Sequence, residues 1–129
     1  MRISAVRPLV LGTPWRNLTF VVVETDEGLS GVGEVRMVNH TDALLGYLQE
    51  AGRNHILGSD PFKIEDLTQR MFRSDFARAS EIMMSAIAVI EMACYDILGQ
   101  ALGVPVYQLL GGAVRSRIPA YANGWYTVE

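Results

Sequence analysis

The chain has 129 residues, of which 50% are hydrophobic and 19% are charged, and its formal net charge is −3. This composition predicts one folded domain with its own core and excludes a disordered segment. The length excludes a complete (β/α)₈ barrel, which needs about 250 residues. Because the basic residues form no block, we expect no nucleic-acid partner.

The number of cysteines and the lengths of the apolar runs indicate the cellular compartment of the protein. The single cysteine, Cys94, excludes an internal disulfide and is typical of a reducing compartment. The longest apolar-rich run, Ile82 to Ile90, is much shorter than the roughly 20 residues that span a bilayer. The first residues run into a strand pattern rather than a leader sequence. We therefore expect a soluble, cytoplasmic protein with no membrane partner.

Three β-type runs come first, at about residues 3–11, 18–25 and 30–36. The simplest topology for them is an antiparallel meander. The second run is apolar on both faces, so we expect a central strand that is covered on both sides. Gly31 and Gly33 in the third run predict either a bulge or a close approach by another stretch of backbone.

Three helices are expected next, at about residues 41–51, 61–76 and 80–102. Thr41 or Asn39 can cap the first helix, and Asp60-Pro61 is typical of a helix start. The third helix is apolar almost all round, which is typical of a helix buried within a larger body. Gly103 provides its stop signal.

The end of the chain does not fit this domain. After a possible short turn at 106–110 and the Gly111-Gly112 pair, residues 118–122 have a strand-like pattern without a partner in the meander. We therefore divide the chain into a domain at 1–115 and the opening element of a second domain at 116–129.

The residues alone do not supply a complete active site. Gly31-Val32-Gly33 lacks the third glycine of a dinucleotide fingerprint and opens no helix. Cys94 lies in the most apolar helix, where a packed, inert thiol is expected. Lys63 is the single lysine of the chain, so a mechanism that needs two lysines is not encoded here. We assign no catalytic residue and no metal ligand to the chain.

Three carboxylates in or beside apolar segments are expected to have structural partners. Glu91 and Asp96 on the third helix are expected to bind an arginine, such as Arg115 or Arg117. Glu34, at the end of the third strand, is expected to accept hydrogen bonds from loop amides. The alternative for all three is a catalytic carboxylate.

The third helix and its exit carry a long pattern that resembles a known signature. Residues 86–112 read AIAVIEMACYDILGQALGVPVYQLLGG. This run is similar to A-I-D-x-A-L-W-D-I-x-G-K-x-x-G-x-P-x-x-x-L-L-G-G, the signature of the mandelate racemase/muconate lactonizing enzyme group of the enolase superfamily. This run departs from the signature at Glu91, Cys94-Tyr95 and Gln100, where each replacement keeps the size or the polarity of the usual residue. The run TDEGLSGVGE at 25–34 resembles the family's hairpin, and Asp60-Pro61 resembles the start of its second capping helix.

The resemblance implies an α+β fold, in which a three-stranded antiparallel meander precedes a helical bundle, as in an enolase N-terminal-like capping domain. Residues 119–126 would then form the first strand of a modified (β/α) barrel that the chain otherwise lacks. The implied chemistry is Mg²⁺-assisted abstraction of the proton α to a carboxylate. In such enzymes the metal ligands and the lysine base lie on later barrel strands, so none of them is carried over to this chain.

The resemblance also implies where substrate is bound. Two loops of the capping domain close over the barrel mouth, and the matching segments here are 12–17 and 36–41. Substrate-binding residues are expected in these segments and at the end of the first barrel strand: Trp15, Arg16, Asn39, His40, Asn123 and Trp125. Two of them have a structural alternative, since Trp15 can cover the edge of the core and Asn39 can cap a helix.

The polar set Arg16, Asn39 and His40 favours a polyhydroxylated acid over an aromatic or dipeptide substrate. We therefore predict the N-terminal part of an acid-sugar dehydratase that acts on an aldonate or aldarate. A racemase or cycloisomerase of the same group is the alternative, and a stand-alone, non-catalytic interaction domain is an alternative of another class. The enzyme interpretation implies Mg²⁺, a small-molecule carboxylate substrate, a C-terminal barrel domain and a homo-oligomer, and predicts that the 129-residue chain alone is inactive.

Overall fold

The first three elements form an antiparallel sheet. The computed structural model describes residues 1–14, 16–78 and 80–122. Strands β1 (Ile3–Gly12), β2 (Asn17–Thr25) and β3 (Ser30–Val35) are hydrogen-bonded in the order β1-β2-β3. Both pairs are antiparallel, which confirms the meander. Asp26, Glu27 and Gly28 lie in the turn between β2 and β3, where Gly28 has a φ of 86°.

The two faces of β2 have different environments. Thr19, Val21 and Val23 are buried on the face that packs against the helices, which we call the inner face. The alternating residues Leu18, Phe20 and Val22 are only half-buried. The expectation that both faces are covered is therefore wrong for the described residues. The reason is that helices lie on one side of this antiparallel sheet, and an antiparallel sheet can leave its other face open.

Helix α1 (Thr41–Ala51) continues directly into a π-helical turn (Gly52–Ile56). The residue at its N-cap position is His40, and no side chain caps the helix by a hydrogen bond. The expected caps, Thr41 and Asn39, are therefore both wrong. Thr41 is the first helical residue, and Asn39 lies one residue too early to reach the first free N–H groups.

Helix α2 (Ile64–Arg73) is shorter than the expected 61–76. Asp60 organises a turn rather than the helix itself: its Oδ1 accepts from Phe62 N at 3.0 Å, and its carbonyl accepts from Lys63 N at 3.1 Å. The helix begins after that turn. The Asp60-Pro61 signal thus marks the bend into the helix, three residues before its first turn.

Helix α3 (Glu81–Leu102) is the longest element and has a clear start and stop. Ser80 caps it, since its Oγ accepts from Met83 N at 3.2 Å. Gly103 ends it in the left-handed region at a φ of 67°, where a glycine is favoured. The short helix α4 (Val106–Leu109) follows.

Helix α3 lies very close to β3 because of the two glycines in that strand. A Cβ on Gly31 would be 2.0 Å from the Ala93 carbonyl oxygen, and one on Gly33 would be 2.5 Å from that of Val89. The register between β2 and β3 is unbroken through both glycines. Of the two expectations for these glycines, close approach is correct and a bulge is not.

Two polar side chains of α3 bind the free edge of β3. Asp96 Oδ2 accepts from Val32 N at 3.0 Å, and Gln100 Nε2 donates to Ser30 O at 2.8 Å. Asp96 is therefore paired with an edge-strand amide. Neither it nor Glu91 forms a salt bridge within the described residues. The expectation of an arginine partner is wrong because the strand offers an N–H that would otherwise lack a protein acceptor.

By length and composition alone, α3 could cross a membrane: an 18-residue window has a mean hydropathy of 1.7. Half of that window is buried inside the fold. The backbone contacts with β3 and the bonds from Asp96 and Gln100 identify α3 as the core helix of this domain. The uninterrupted apolar run from Ile82 to Ile90 is too short to show this property, which emerges only from the complete helix.

The direction of α3 determines where the chain leaves the domain. Val89 lies over Gly33 and Ala93 over Gly31, so α3 runs antiparallel to β3. Its beginning lies at the end of the sheet where β2 starts, and its end lies at the β2–β3 turn. Residues 113–122 are exposed and form no strand within the described part of the chain. The expected barrel strand at 119–126 stays a prediction, and its second half lies outside the described residues.

Candidate functional site

Thr13 and Arg16, which lie between β1 and β2, are joined to one another by hydrogen bonds. Gly12 and Asn17 form the last pair of the two strands. Between them, Thr13 N donates to Arg16 O at 3.0 Å, and Arg16 N donates to Thr13 Oγ1 at 3.1 Å. The Thr13 hydroxyl also donates to Arg16 O, at 2.5 Å. These bonds fix the backbone of Arg16, while its side chain stays exposed.

The segment after β3 is anchored by one apolar residue and then turns sharply. Met37 is buried, with 5% of its surface exposed. Asn39 has a φ of 62°, a left-handed conformation that asparagine tolerates better than most residues. His40 Nδ1 lies 3.0 Å from the Val38 carbonyl oxygen. Since a carbonyl can only accept, this contact places the proton on Nδ1 and leaves Nε2 as an acceptor in the neutral ring.

The two segments meet at one end of the sheet and form the walls of one pocket. Asn17 Nδ2 donates to Thr41 Oγ1 at 3.2 Å, which joins the start of β2 to the start of α1. The pocket between them has a volume of about 610 Å³, within the usual range of small-molecule sites. Its lining consists of nine residues from the two segments and the first turn of α1: Thr13, Arg16, Asn17, Val38, Asn39, His40, Thr41, Asp42 and Ala43.

The groups in this pocket are suited to hydrogen bonding. Arg16 offers a planar fork of donors that can bind a carboxylate or a pair of hydroxyls. The Asn39 amide can both donate and accept, and His40 Nε2 can accept. Asp42 is the acidic residue of the first turn of α1. The arrangement can therefore bind and orient a polar ligand.

A second cavity, of about 500 Å³, lies between α1, the π-helical turn and the end of α2. Burial, together with the nearby Asp75 and Glu50 carboxylates, raises the pKa of Tyr47 in this cavity. Its hydroxyl is therefore neutral at physiological pH. The cavity contains neither of the two segments that line the first pocket. Its lining residues are Tyr47, Glu50, Ala51, Asn54, His55, Ser74 and Asp75.

Cys94 is fully buried in α3. Burial, and to a smaller extent the charge of Glu91, raises the pKa of its thiol to about 12. The thiolate, which is the reactive form, is therefore scarcely populated near neutral pH. Within residues 1–14, 16–78 and 80–122, no three histidine, cysteine, aspartate or glutamate side chains come together as a possible metal site.

The structure brings together three of the six residues that the sequence analysis selected. Arg16, Asn39 and His40 all line the first pocket. Asn39 does not cap α1, which removes its structural alternative. The expectations for Trp15, Asn123 and Trp125 lie outside the described residues.

Sequence reasoning missed Thr13 and Asn17 as parts of the pocket. Thr13 was detectable, because a threonine followed by proline between two strands is typical of a turn closed by a side-chain hydroxyl. Asn17 had no comparable signal. Its importance depends on a contact with Thr41, which is 24 residues away in the chain.

Comparison with known sequences and structures identifies the fold family. Residues 6–111 match the family described as "Mandelate racemase / muconate lactonizing enzyme, N-terminal domain". The chain belongs to this family. The match includes β2, β3, helices α1 to α4 and both segments of the pocket.

Individual relatives agree with this assignment. A D-galactonate dehydratase from Variovorax paradoxus is 43% identical over 122 residues, which are 95% of this chain and 31% of that protein. A crystal structure of a candidate dehydratase from Mesorhizobium loti has a TM-score of 0.90 and 36% identity, covering 100% of this chain and 35% of that one. An enolase from Agrobacterium radiobacter, a candidate galactarate dehydratase with Na and L-malate bound, has a TM-score of 0.84 and 31% identity, covering 92% of this chain and 30% of that one. The chain thus spans about a third of the length of these relatives.

Proposed function

We propose that this chain is the N-terminal, specificity-determining part of an acid-sugar dehydratase. Such an enzyme abstracts the proton α to a carboxylate and expels the hydroxyl of the next carbon, so that one molecule of water leaves an aldonate or aldarate. The observation that carries the proposal is that Arg16, Asn39 and His40, from two separate segments, line one pocket. Hydrogen-bonding groups on opposite walls of a pocket suit a substrate with several hydroxyls.

The relatives support the substrate class. The Variovorax protein is named for D-galactonate, an aldonate. The Agrobacterium structure is named for galactarate, an aldarate, and contains the dicarboxylate L-malate. For this chain, we propose that the Arg16 guanidinium binds the distal carboxylate or hydroxyls of the substrate, while Asn39 and His40 bind hydroxyls. A site that hydrogen-bonds hydroxyls rejects analogues that lack them, since its polar groups would be left unpaired.

The catalytic groups are proposed to lie elsewhere in the whole protein. When bound, Mg²⁺ would stabilise the ene-diolate that forms after proton abstraction. The described residues do not fit this ion, since no three potential ligands come together among them. We therefore place the ion and the base in a C-terminal barrel domain. The exposed tail at 113–122 leads towards that domain in sequence.

We also propose that the whole protein is a homo-oligomer and that it is located in the cytoplasm. On the outer face of the sheet, which lies opposite the inner face, Leu9, Leu11 and Val32 are about half exposed (56%, 58% and 50%). Such apolar surface is consistent with cover by a further domain or by another copy. The single, buried cysteine is consistent with a cytoplasmic location.

Turnover by the full-length protein tests this proposal. Full-length enzyme with Mg²⁺ should dehydrate at least one member of an acid-sugar library that includes D-galactonate and galactarate. Arg16→Gln should raise KM for that substrate by about tenfold or more, because a hydrogen bond to a charged group is lost. Arg73→Gln, an exposed arginine at the end of α2, is the matched control and should keep the wild-type KM.

The products distinguish the alternatives. Dehydration gives a keto-deoxy acid, whereas a racemase would exchange the α proton with deuterium from solvent and retain all hydroxyls. Proton NMR in deuterated water separates the two outcomes. Absence of turnover with every acid sugar would refute the proposed function.

A further inference from the structure

One hydrogen bond joins the two walls of the pocket. Asn17 Nδ2 donates to Thr41 Oγ1 at 3.2 Å. Among the residues that the structure describes, it is the one hydrogen bond between segments 12–17 and 36–41. Asn17 directly follows Arg16, and Thr41 directly follows His40. The bond therefore lies one residue away from a proposed substrate-binding side chain on each wall.

Each wall is internally fixed by its own contacts. On one side, Thr13 binds the backbone of Arg16 through three hydrogen bonds. On the other side, His40 contacts the Val38 carbonyl at 3.0 Å, and the adjacent Met37 is buried. Since each wall is held as a unit, what remains to be set is the position of one wall relative to the other.

We propose that the Asn17–Thr41 hydrogen bond is a bridge that positions the two walls relative to one another and thereby sets substrate affinity. This inference rests on the proposed function. Thr41 is 9% exposed, and it is the first residue of α1, so its hydroxyl is held by the packed end of a helix. Asn17 is exposed at the first position of β2. The bridge thus connects a buried acceptor at the start of a packed helix to an exposed donor at the end of the hairpin. Both members are positioning residues rather than catalytic ones.

Two single substitutions remove this bond, and the second of them keeps the shape of the side chain. Asn17→Ala removes the donor, and Thr41→Val replaces the acceptor by a methyl group of similar size. Thr68→Val is the matched control for Thr41→Val, since Thr68 is also a helical threonine with 9% exposure. Its hydroxyl donates within α2 to Glu65 O at 3.1 Å. Asn54→Ala is the matched control for Asn17→Ala, since Asn54 is also an exposed asparagine and lies in the π-helical turn, away from the pocket.

Kinetics of the full-length enzyme form the first arm of the test. With its acid-sugar substrate, Asn17→Ala and Thr41→Val should each raise KM about fivefold, with kcat within about twofold of wild type. The double variant should be no worse than either single variant, because both remove the same bond. Both controls should keep the wild-type KM. Equal KM values for all variants, or additive effects in the double variant, would overturn the bridge.

Hydrogen exchange of the full-length protein forms the second arm and needs no substrate. Removing one member should speed amide exchange in the opposite wall: Asn17→Ala in residues 38–43, and Thr41→Val in residues 13–17. Thr41→Ser keeps the acceptor oxygen and should restore wild-type exchange in residues 13–17. Faster exchange confined to the mutated wall would overturn the bridge. If no acid sugar is turned over, the proposed function fails, and exchange alone decides whether the bridge exists.

Discussion

An alanine at position 31 tests the contact on which the fold depends. A Cβ added to Gly31 would lie 2.0 Å from the Ala93 carbonyl oxygen, whereas real Cβ atoms essentially never come within 3.0 Å of such an atom. The obstacle is backbone of α3 and cannot rotate away like a side chain. Helix α3 would therefore have to move about 1 Å away from the sheet, and a gap of that size weakens the contacts along the whole interface.

The loss of folding free energy can be worked out from the groups that this movement of α3 affects. Overpacking of a dense core costs about 1–3 kcal/mol. The bonds from Asp96 to Val32 (3.0 Å) and from Gln100 to Ser30 (2.8 Å) would be stretched as well, each worth about 1 kcal/mol. Alanine also lowers the conformational entropy of the unfolded chain, which offsets less than about 1 kcal/mol of this destabilisation. We expect Gly31→Ala to lower the free energy of unfolding by about 3 kcal/mol.

Urea denaturation followed by circular dichroism at 222 nm measures this change. With a slope of about 1.5 kcal/mol per molar urea, the midpoint should fall by about 2 M. Gly46→Ala is the matched control, because Gly46 lies inside α1 and has no atom within 4 Å of the added Cβ. It should raise stability by about 1 kcal/mol through helix propensity. A Gly31→Ala midpoint within about 0.5 M of wild type would refute the close contact.

Three further predictions concern α3. Ser80→Ala removes the bond to Met83 N and should lower the free energy of unfolding by about 1 kcal/mol in the same urea assay; an unchanged midpoint would contradict the cap. Asp96→Ala should lower it by about 1–2 kcal/mol and speed exchange of the Val32 amide, whereas unchanged exchange there would exclude the edge contact. Burial raises the pKa of the Cys94 thiol to about 12 from 9.0, so its contribution to stability is complete below about pH 9 and is lost as the pH rises towards 12. The difference in midpoint between wild type and Cys94→Ala should therefore shrink over that interval, and a constant difference would be evidence against the shift.

Local signals in the sequence were enough to locate most elements. Gly103 marks the end of α3 correctly because a left-handed stop acts on the adjacent turn. The start of α2 was misplaced since Asp60 can satisfy N–H groups in a turn as well as in a helix. Such a residue indicates that a helix is near, but the first helical residue depends on how the chain packs afterwards.

The parts that the sequence could not predict all depend on distant contacts. Asp96 binds Val32 across 64 residues of chain, and Asn17 binds Thr41 across 24. Side-chain identity shows that a carboxylate needs a donor, but not which donor lies nearby. In the first case the donor was an edge-strand amide rather than an arginine. The two pocket segments were found through the family resemblance, whereas the hydrogen bond between them required the register of the sheet and the position of α1.

The residues that stabilise the fold are different from those that line the pocket. β2 and β3 are held on α3 by buried residues and glycines, and the pocket segments are continuations of those strands beyond the contact with the helix. Arg16 and Asn39 are exposed there, at the far end from the turn where the chain leaves the domain. Substitutions at these two positions should therefore alter binding with little effect on unfolding, whereas Gly31→Ala should do the reverse. Rigid strands that present variable loops in this way allow one scaffold to serve different substrates.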